Sequence, residues 1–307
     1  MSNYLTDHEW QKIKQIFIKQ SISEVGISES DEVPEIVKGN FLAYLQSHYN
    51  GDMKYLERNL EKRFSPTTLY PGTQSIITFL LPYYQIFPAE WAEKISIYVT
   101  KKDYHTLAKS ISIPVVNFLK QLDANFRPRI FVDSAPVIDK YWAWKAGLGF
   151  IGKNTLLINE KYGSFVFIVH IFTSLKAPPD ALKNPLKNKC GNCTNCLKAC
   201  PTQALISPKV LNASQCISYL TIEKSDNNSL HQVKKLVPYI YGCDICQKKC
   251  PYNNNPQITP IKDFLFDEQE KQELKNWGTG ISKFPLYLLN DSVLMKNVNF
   301  IKNKYKS

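Results

Sequence analysis

The first 180 residues alternate between the periodicities of helices and strands. Within residues 6–20, Trp10, Ile13, Ile16 and Phe17 recur at helical spacing, which predicts an amphipathic helix. The continuous apolar run 75–83 is typical of a buried strand. The pattern predicts further helices within 30–46, 52–63, 104–122 and 137–147, and further strands over 129–133 and 164–172. This order of elements predicts a domain that combines helices with a sheet.

A cysteine-rich segment follows a proline-rich linker. The run Cys190–Pro201 reads CGNCTNCLKACP, and its spacing matches the bacterial ferredoxin motif that ligates iron–sulfur clusters. A second run, CDICQKKCP over 243–251, has the same ending but lacks one leading cysteine, and Cys216 lies between the runs. The eight cysteines suffice for two four-thiolate clusters. Zinc is the main alternative for paired CxxC sequences, although the CxxCxxCxxxCP spacing favours [4Fe–4S] clusters.

The two runs resemble those of two-cluster ferredoxins, in which the last cysteine of one run ligates the other cluster. This resemblance implies two ligand sets. They are Cys190, Cys193, Cys196 and Cys250 for the first cluster, and Cys200, Cys216, Cys243 and Cys246 for the second.

Composition and charge narrow the class of protein. The 307 residues are 44% hydrophobic, as in a packed globular protein with room for two domains. No apolar run approaches the roughly 18–20 residues that span a membrane, and the start lacks a secretory pattern, so we expect a cytoplasmic protein. The net charge is +11, and residues 183–250 hold ten lysines against three acidic residues. These lysines either offset anionic clusters or form a face for nucleic acid.

Candidate chemistry in the first domain centres on an acid and a glycine loop. Asp133 follows the strand over 129–133, where it projects into a cleft or caps the next helix. The loop 147–155 (GLGFIGKNT) is no P-loop, because residue 154 is Asn, but its glycines allow a large ligand to approach the backbone. Packing is the default role for Tyr98, for the tripeptide 103–105 (DYH) and for His170.

Several segments together resemble the epoxyqueuosine reductase family, over roughly residues 50–255. They are VDSAP (132–136), AGLGFIGKNT (146–155), YGS (162–164), the first cysteine run, CISYLTIE (216–223), YGCDICQ (241–247) and CPYN (250–253). Enzymes of this family are cobalamin-dependent iron–sulfur reductases, which convert the epoxide of epoxyqueuosine at the tRNA wobble position to the alkene of queuosine.

The resemblance implies an α+β fold in three parts. Residues 1–180 would be an N-terminal α/β cobalamin-binding domain similar to that of reductive dehalogenases. Residues 181–256 would be a ferredoxin-like module with two [4Fe–4S] clusters. Residues 257–307 would be a short helical C-terminal tail, a reduced version of the tRNA-binding repeat of many relatives.

The resemblance also implies roles for individual residues. Asp133 matches the proton donor, and the second cluster would pass electrons to cobalamin, whose reduced cobalt opens the epoxide. Lys224 would contact tRNA. The expected corrin contacts are Arg58, Tyr98, Asp133, Lys153, Asn154 and Ser164. A flavodoxin- or ferredoxin-like electron donor, a monomeric state and no membrane association complete the expectation.

Two other functions compete with this one. A dehalogenase-like cobalamin and iron–sulfur reductase of a small molecule would share the cofactors, but it would not need the basic second half. A non-catalytic electron carrier of the ferredoxin type would leave the first domain and its glycine loop unexplained.

Overall fold

The computed structural model describes residues 4–87, 93–224, 226–275 and Asn297. The strands of the described chain are β1 (Val25–Glu29), β2 (Ser75–Pro82), β3 (Arg129–Phe131), β4 (Phe150–Ile151), β5 (Leu157–Ile158), β6 (Val166–Thr173), β7 (Leu205–Ser207) and β8 (Val210–Leu211). The α-helices are α1 (Asp7–Ile18), α2 (Glu35–Gln46), α3 (Leu60–Phe64), α4 (Pro66–Leu69), α5 (Tyr104–Leu122), α6 (Asp139–Lys145), α7 (Asn195–Ala199), α8 (Ile217–Tyr219), α9 (Asn227–Leu236), α10 (Ile245–Lys248) and α11 (Glu268–Lys275).

A four-stranded sheet in the order β1-β2-β6-β3 forms the centre of the first domain, and each of its pairings is antiparallel. Every residue of β2 is buried, because both faces of the sheet are covered. Ile77, Phe79 and Leu81 pack with the apolar residues of α1 and α5. Ile76 points to the opposite face, against Tyr141 and Trp142 of α6. The strand period of two therefore divides one apolar run between two cores.

The predicted elements agree with the structure except near residues 52–63. The helix over 104–122 is confirmed and includes Pro114, and the predicted strands correspond to β2, β3 and β6. The single helix predicted over 52–63 is wrong. A 3₁₀ turn (Lys54–Glu57) and α3 replace it, because Asn59 between them adopts a left-handed φ of 55°. Strand β1 was not predicted.

The cysteine-rich module is joined to the first domain by polar contacts, some of them buried. The backbone N–H of Asp52 donates to the hydroxyl of Tyr219 at 2.7 Å. The buried carboxylate of Asp244 accepts hydrogen bonds from the Ser96 hydroxyl and, at 2.8 Å, from the Ile97 N–H. Burial raises the pKa of this carboxyl group. Because Asp244 lies between Cys243 and Cys246, these bonds fix the second cysteine run against the first domain.

The C-terminal segment is described only in part. Helix α11 is consistent with the predicted helical tail, whereas residues 276–307, except for Asn297, lie outside the described residues. Asn297 is buried, and its side-chain amide donates to the carbonyl oxygens of Thr221 and Ile240 at 2.8 and 2.7 Å. No helix in the described part of the chain is long and apolar enough to cross a membrane.

Candidate active site and cluster ligands

Asp133 lies just beyond β3 and has a left-handed backbone, with φ of 40°. Its side chain is 53% exposed, so the carboxylate borders solvent. The following helix α6 begins six residues later with Ile138 at its N-cap, so Asp133 does not cap it. The carboxylate instead accepts hydrogen bonds from two side chains, Tyr104 and His105. The strained backbone is a feature found where a side chain is aimed at a functional site.

Tyr104 and His105 are held in the first turn of α5. Asp103 caps this helix, because its carboxylate accepts from the Thr106 N–H at 2.9 Å. The second oxygen of Asp103 lies 3.3 Å from Nδ1 of His105, and Nε2 of His105 lies 2.9 Å from Asp133. The Tyr104 ring stacks on Phe167 with centroids 4.1 Å apart. The imidazole therefore bridges two carboxylates.

These contacts change the proton affinities of both aromatic side chains. The hydrogen bond to Asp133 is the largest cause of a raised His105 pKa, and Asp103 adds to it. Burial, followed by the negative charge of Asp133, raises the Tyr104 pKa. A protonated imidazole next to an exposed carboxylate can supply it with a proton. From sequence, packing is the default role for Tyr104 and His105, because their contacts to Asp133 join positions nearly thirty residues apart.

The 3₁₀ turn after α2 lies near the same site. Tyr55 is 53% exposed, and partial burial followed by the negative charges of Glu223 and Asp133 raises its pKa. Lys224, the predicted tRNA contact, is exposed next to Glu223. Arg58, a predicted corrin contact, is exposed just after the turn that contains Tyr55.

Two other predicted corrin contacts lie where the domains meet. The Tyr98 ring stacks on Tyr241 with centroids 6.0 Å apart. The buried Ser164 donates its hydroxyl to the Gln247 side chain at 2.9 Å and accepts from the Asn253 amide at 2.8 Å. The Ser164 N–H also donates to Asn253 at 2.9 Å. Ser164 thus connects β6 to the second cysteine run.

Four of the cysteines line one cavity of about 140 Å³. They are Cys190, Cys193, Cys196 and Cys250, the set that the ferredoxin pattern implies for the first cluster. Lys153 and Asn154 also line this cavity. The ammonium group of Lys153 donates to the carbonyl oxygens of Gly191 and Cys193 at 2.6 and 2.9 Å, so it ties the glycine loop to the first cysteine run.

The other four cysteines are also mutual neighbours. Burial raises the pKa of Cys243 to about 12, and the charges of Cys216 and Cys200 contribute. Burial, followed by the charges of these three cysteines and of Cys196 in the first set, raises the pKa of Cys246. Backbone N–H groups act in the opposite direction at Cys216 and Cys243, since they stabilise the thiolates. Buried thiols that accept backbone hydrogen bonds are suited to an iron cluster, whose cations favour the thiolate form.

The donor chemistry therefore fits two clusters. All eight thiols are free of disulfides. In the described part of the chain, no three potential ligands converge on a point that could hold one metal ion, and the thiols of the first set surround a cavity instead. Together with the acid–imidazole pair, the two thiol sets define an iron–sulfur oxidoreductase.

Comparison with known proteins specifies this class. The family described as "4Fe-4S double cluster binding domain" matches residues 189–253, and the family described as "Epoxyqueuosine reductase QueG, DUF1730" matches residues 63–134. The epoxyqueuosine reductases of Leadbetterella byssophila and Cellulophaga algicola are each 37% identical, over 90% and 93% of this chain and 93% and 94% of theirs. The Escherichia coli enzyme is 35% identical, over 83% of this chain and 68% of its own. This chain belongs to the epoxyqueuosine reductase family.

Solved structures agree with this result. A crystal structure of a selenomethionine-labelled epoxyqueuosine reductase has a TM-score of 0.73 at 27% identity, over 85% of this chain and 69% of that one. An epoxyqueuosine reductase bound to an epoxyqueuosine-modified tRNA stem loop has a TM-score of 0.69 at 25% identity, over 84% of this chain and 69% of that one. The α+β fold and the double-cluster module are therefore shared with this family. The iron–sulfur interpretation of the cysteine runs is confirmed, and the zinc alternative is wrong.

Proposed function

We propose that this enzyme reduces the epoxide of epoxyqueuosine, at the wobble position of tRNA, to the alkene of queuosine. Residues 1–180 would form the cobalamin-binding catalytic domain, residues 181–256 the two-cluster module, and residues 257–307 a tail that adds to tRNA binding. The matched family segments, 63–134 and 189–253, lie within the first two of these ranges. The relatives named above carry this activity in their names.

The observation that carries the proposal is the hydrogen-bonded chain from Asp103 through His105 to Asp133. Opening an epoxide places negative charge on its oxygen, which needs a proton in the transition state. The Asp133 carboxylate is the most exposed of these three groups, at 53% against 38% for His105. As Asp133 gives a proton to the epoxide oxygen, the protonated imidazole of His105, whose pKa is raised, replaces that proton. Tyr104 orients the carboxylate through its second oxygen.

Cobalamin, when bound, would supply the reduced metal centre that attacks the epoxide. We place it near Tyr44 and Tyr55, because Cys216 of the second thiol set acts electrostatically on Tyr44 and Asp133 acts on Tyr55. Burial raises the pKa of Tyr44 to about 12, with contributions from the charges of Tyr55 and Cys216. The negative charge of Asp133 contributes to the raised pKa of Tyr55. The six residues proposed to contact the corrin remain Arg58, Tyr98, Asp133, Lys153, Asn154 and Ser164.

The second ligand set, with Cys216 on the side of Tyr44, would be the proximal cluster, and the first set would receive electrons from a flavodoxin- or ferredoxin-like donor. Lys224 would contact a phosphate of the tRNA next to the cleft. If so, Lys224→Ala lowers the slope of log affinity against log salt by about 1. We also propose that the enzyme is a monomer and acts in the cytoplasm, where tRNA is modified.

The test is an anaerobic reaction with tRNA that carries epoxyqueuosine. The purified holoenzyme with cobalamin and a strong reductant is compared with Asp133→Asn and with a control, Asp31→Asn, which removes an exposed ion pair to Lys145. Nucleoside mass spectrometry should show queuosine from the wild type and the control, and at least about 10²-fold less from Asp133→Asn. No queuosine from a wild type with bound cobalamin and intact clusters would overturn the proposal and favour a small-molecule substrate.

A further inference from the structure

Asn154 has an unexplained polar group beside the first thiol set. The residue is 3% exposed and lines the cavity with Cys190, Cys193, Cys196 and Cys250. Its side-chain nitrogen, Nδ2, is buried and has no hydrogen-bond partner among the described residues. A buried N–H group without a partner costs about 1–3 kcal/mol, so such a group calls for an acceptor that is missing from the protein itself.

The orientation of the amide is set by its other atom. Oδ1 of Asn154 accepts a hydrogen bond from the Leu156 N–H at 3.3 Å. A side chain at Gly152 would come within 2.6 Å of this oxygen and 2.5 Å of Ile158, so the glycine leaves the space that the amide occupies. Because the backbone N–H needs an acceptor, the oxygen stays on that side, and the nitrogen is left as the free donor.

We propose that Nδ2 of Asn154 donates a hydrogen bond to a sulfur atom of the first cluster, either a bridging sulfide or a cysteine Sγ. Such a bond stabilises the reduced cluster, which carries more negative charge, and raises its reduction potential. Because Asn154 lies in the same cavity as all four thiols of the first set, we expect it to change the reduction potential of the first cluster alone. Asn154 thus acts on the entry of electrons through the first cluster.

This inference rests on the cluster part of the proposed function alone. Its test needs neither cobalamin nor tRNA, so failure of the reductase proposal would leave the test valid. The experiment is a redox titration of the full-length holoprotein, followed by electron paramagnetic resonance, with iron and sulfide content measured for every variant.

Two substitutions separate donation from folding. Asn154→Asp keeps an oxygen for the Leu156 N–H but replaces the donor with a negative charge. Asn154→Leu removes both the donor and the acceptor without adding charge. We expect one of the two reduction steps to move to lower potential in both variants. At a fixed potential, the oxidised-to-reduced ratio of that cluster should rise at least tenfold, which is about 59 mV for a one-electron step.

Two control substitutions test whether the change in potential is specific to Asn154. Asn125→Ala changes an exposed asparagine in the loop before β3 and should leave both steps in place. Thr202→Val removes a hydroxyl 3.5 Å from Sγ of Cys200, in the second set, and should leave the Asn154-sensitive step in place. Wild-type potentials in a fully loaded Asn154→Leu protein, which loses the donor without a change of charge, would overturn the inference. Equal movement of both steps would also overturn it, since it would indicate a global change.

Discussion

His105 Nε2 lies 2.9 Å from Asp133 Oδ1, so a carboxylate in the loop beyond β3 raises the pKa of an imidazole in the first turn of α5. Removal of the Asp133 charge should therefore lower the pKa of His105, because this hydrogen bond is the main cause of its increase. Histidine NMR titrations of wild type and Asp133→Asn would show this shift, with Asp31→Asn as a control. An unchanged His105 titration in Asp133→Asn would contradict the geometry.

The same pair links stability to pH. The folded protein binds the His105 proton more tightly than the unfolded chain, whose histidines titrate near pH 6.5. The pair therefore stabilises the fold fully below about pH 6.5. This contribution is lost as the pH rises through the raised folded value. Unfolding measured across this pH range should show a smaller pH dependence in Asp133→Asn.

His105→Gln should slow the reaction while substrate binding remains. If His105 supplies the proton that Asp133 delivers, the wild-type rate falls as the pH rises past the His105 pKa. In His105→Gln this step in the pH–rate profile should disappear, with a rate reduced about tenfold at low pH. His8→Gln, which replaces a histidine in α1, is the matched control. A wild-type pH profile in His105→Gln would assign the proton to another source.

Ser164→Ala tests the contact between the two domains. The hydroxyl accepts from Asn253 and donates to Gln247, so its loss leaves buried polar groups without partners. We expect a loss of about 1–3 kcal/mol in the free energy of unfolding. Chemical denaturation of the apoprotein measures it, and Ser23→Ala, at an exposed position, is the control. If Ser164 acts only on the corrin, cobalamin affinity will fall and apoprotein stability will not.

Lys153→Met tests the attachment of the glycine loop to the first cysteine run. The ammonium group holds the carbonyl oxygens of Gly191 and Cys193, which flank the first cluster. Because bonds from a charged donor contribute about 1.5–3 kcal/mol, iron should leave this cluster at least about tenfold faster in the presence of a chelator. Lys161→Met, which loses an exposed contact to Ser23, serves as the control. Equal iron loss in both variants would make the Lys153 contacts irrelevant to the cluster.

Local patterns in the sequence predicted much of this structure. The buried strands β2 and β6 follow from continuous apolar runs, and α5 follows from its helical spacing. Cysteine spacing, with the ferredoxin resemblance, predicted the set that lines the first cavity. These features depend on residues close together in the chain or on a motif whose chemistry allows few arrangements.

The remaining features depend on contacts between distant residues. His105 pairs with Asp133 only because α5 and β3 are neighbours in the fold, and the DYH tripeptide alone does not show this. Similarly, Ser164 and Lys153 stood in segments attributed to the corrin, but they also contact the cysteine runs. The prediction of one helix over 52–63 is wrong because the backbone of Asn59 is left-handed. Few features of a sequence indicate such a conformation.

The shared boundary between the thiol sets has a consequence for how the enzyme is assembled. Cys200 ends the first run among the thiols of the second set, and Cys250 ends the second run in the cavity of the first set. If each set ligates one cluster as proposed, each cluster takes its fourth ligand from the run that supplies most ligands of the other cluster. Loss of iron from one cluster then releases a cysteine of the run that supplies most ligands of the other cluster, so the other cluster is weakened too. We therefore expect chains with no cluster or with both clusters during assembly, and few chains with a single cluster.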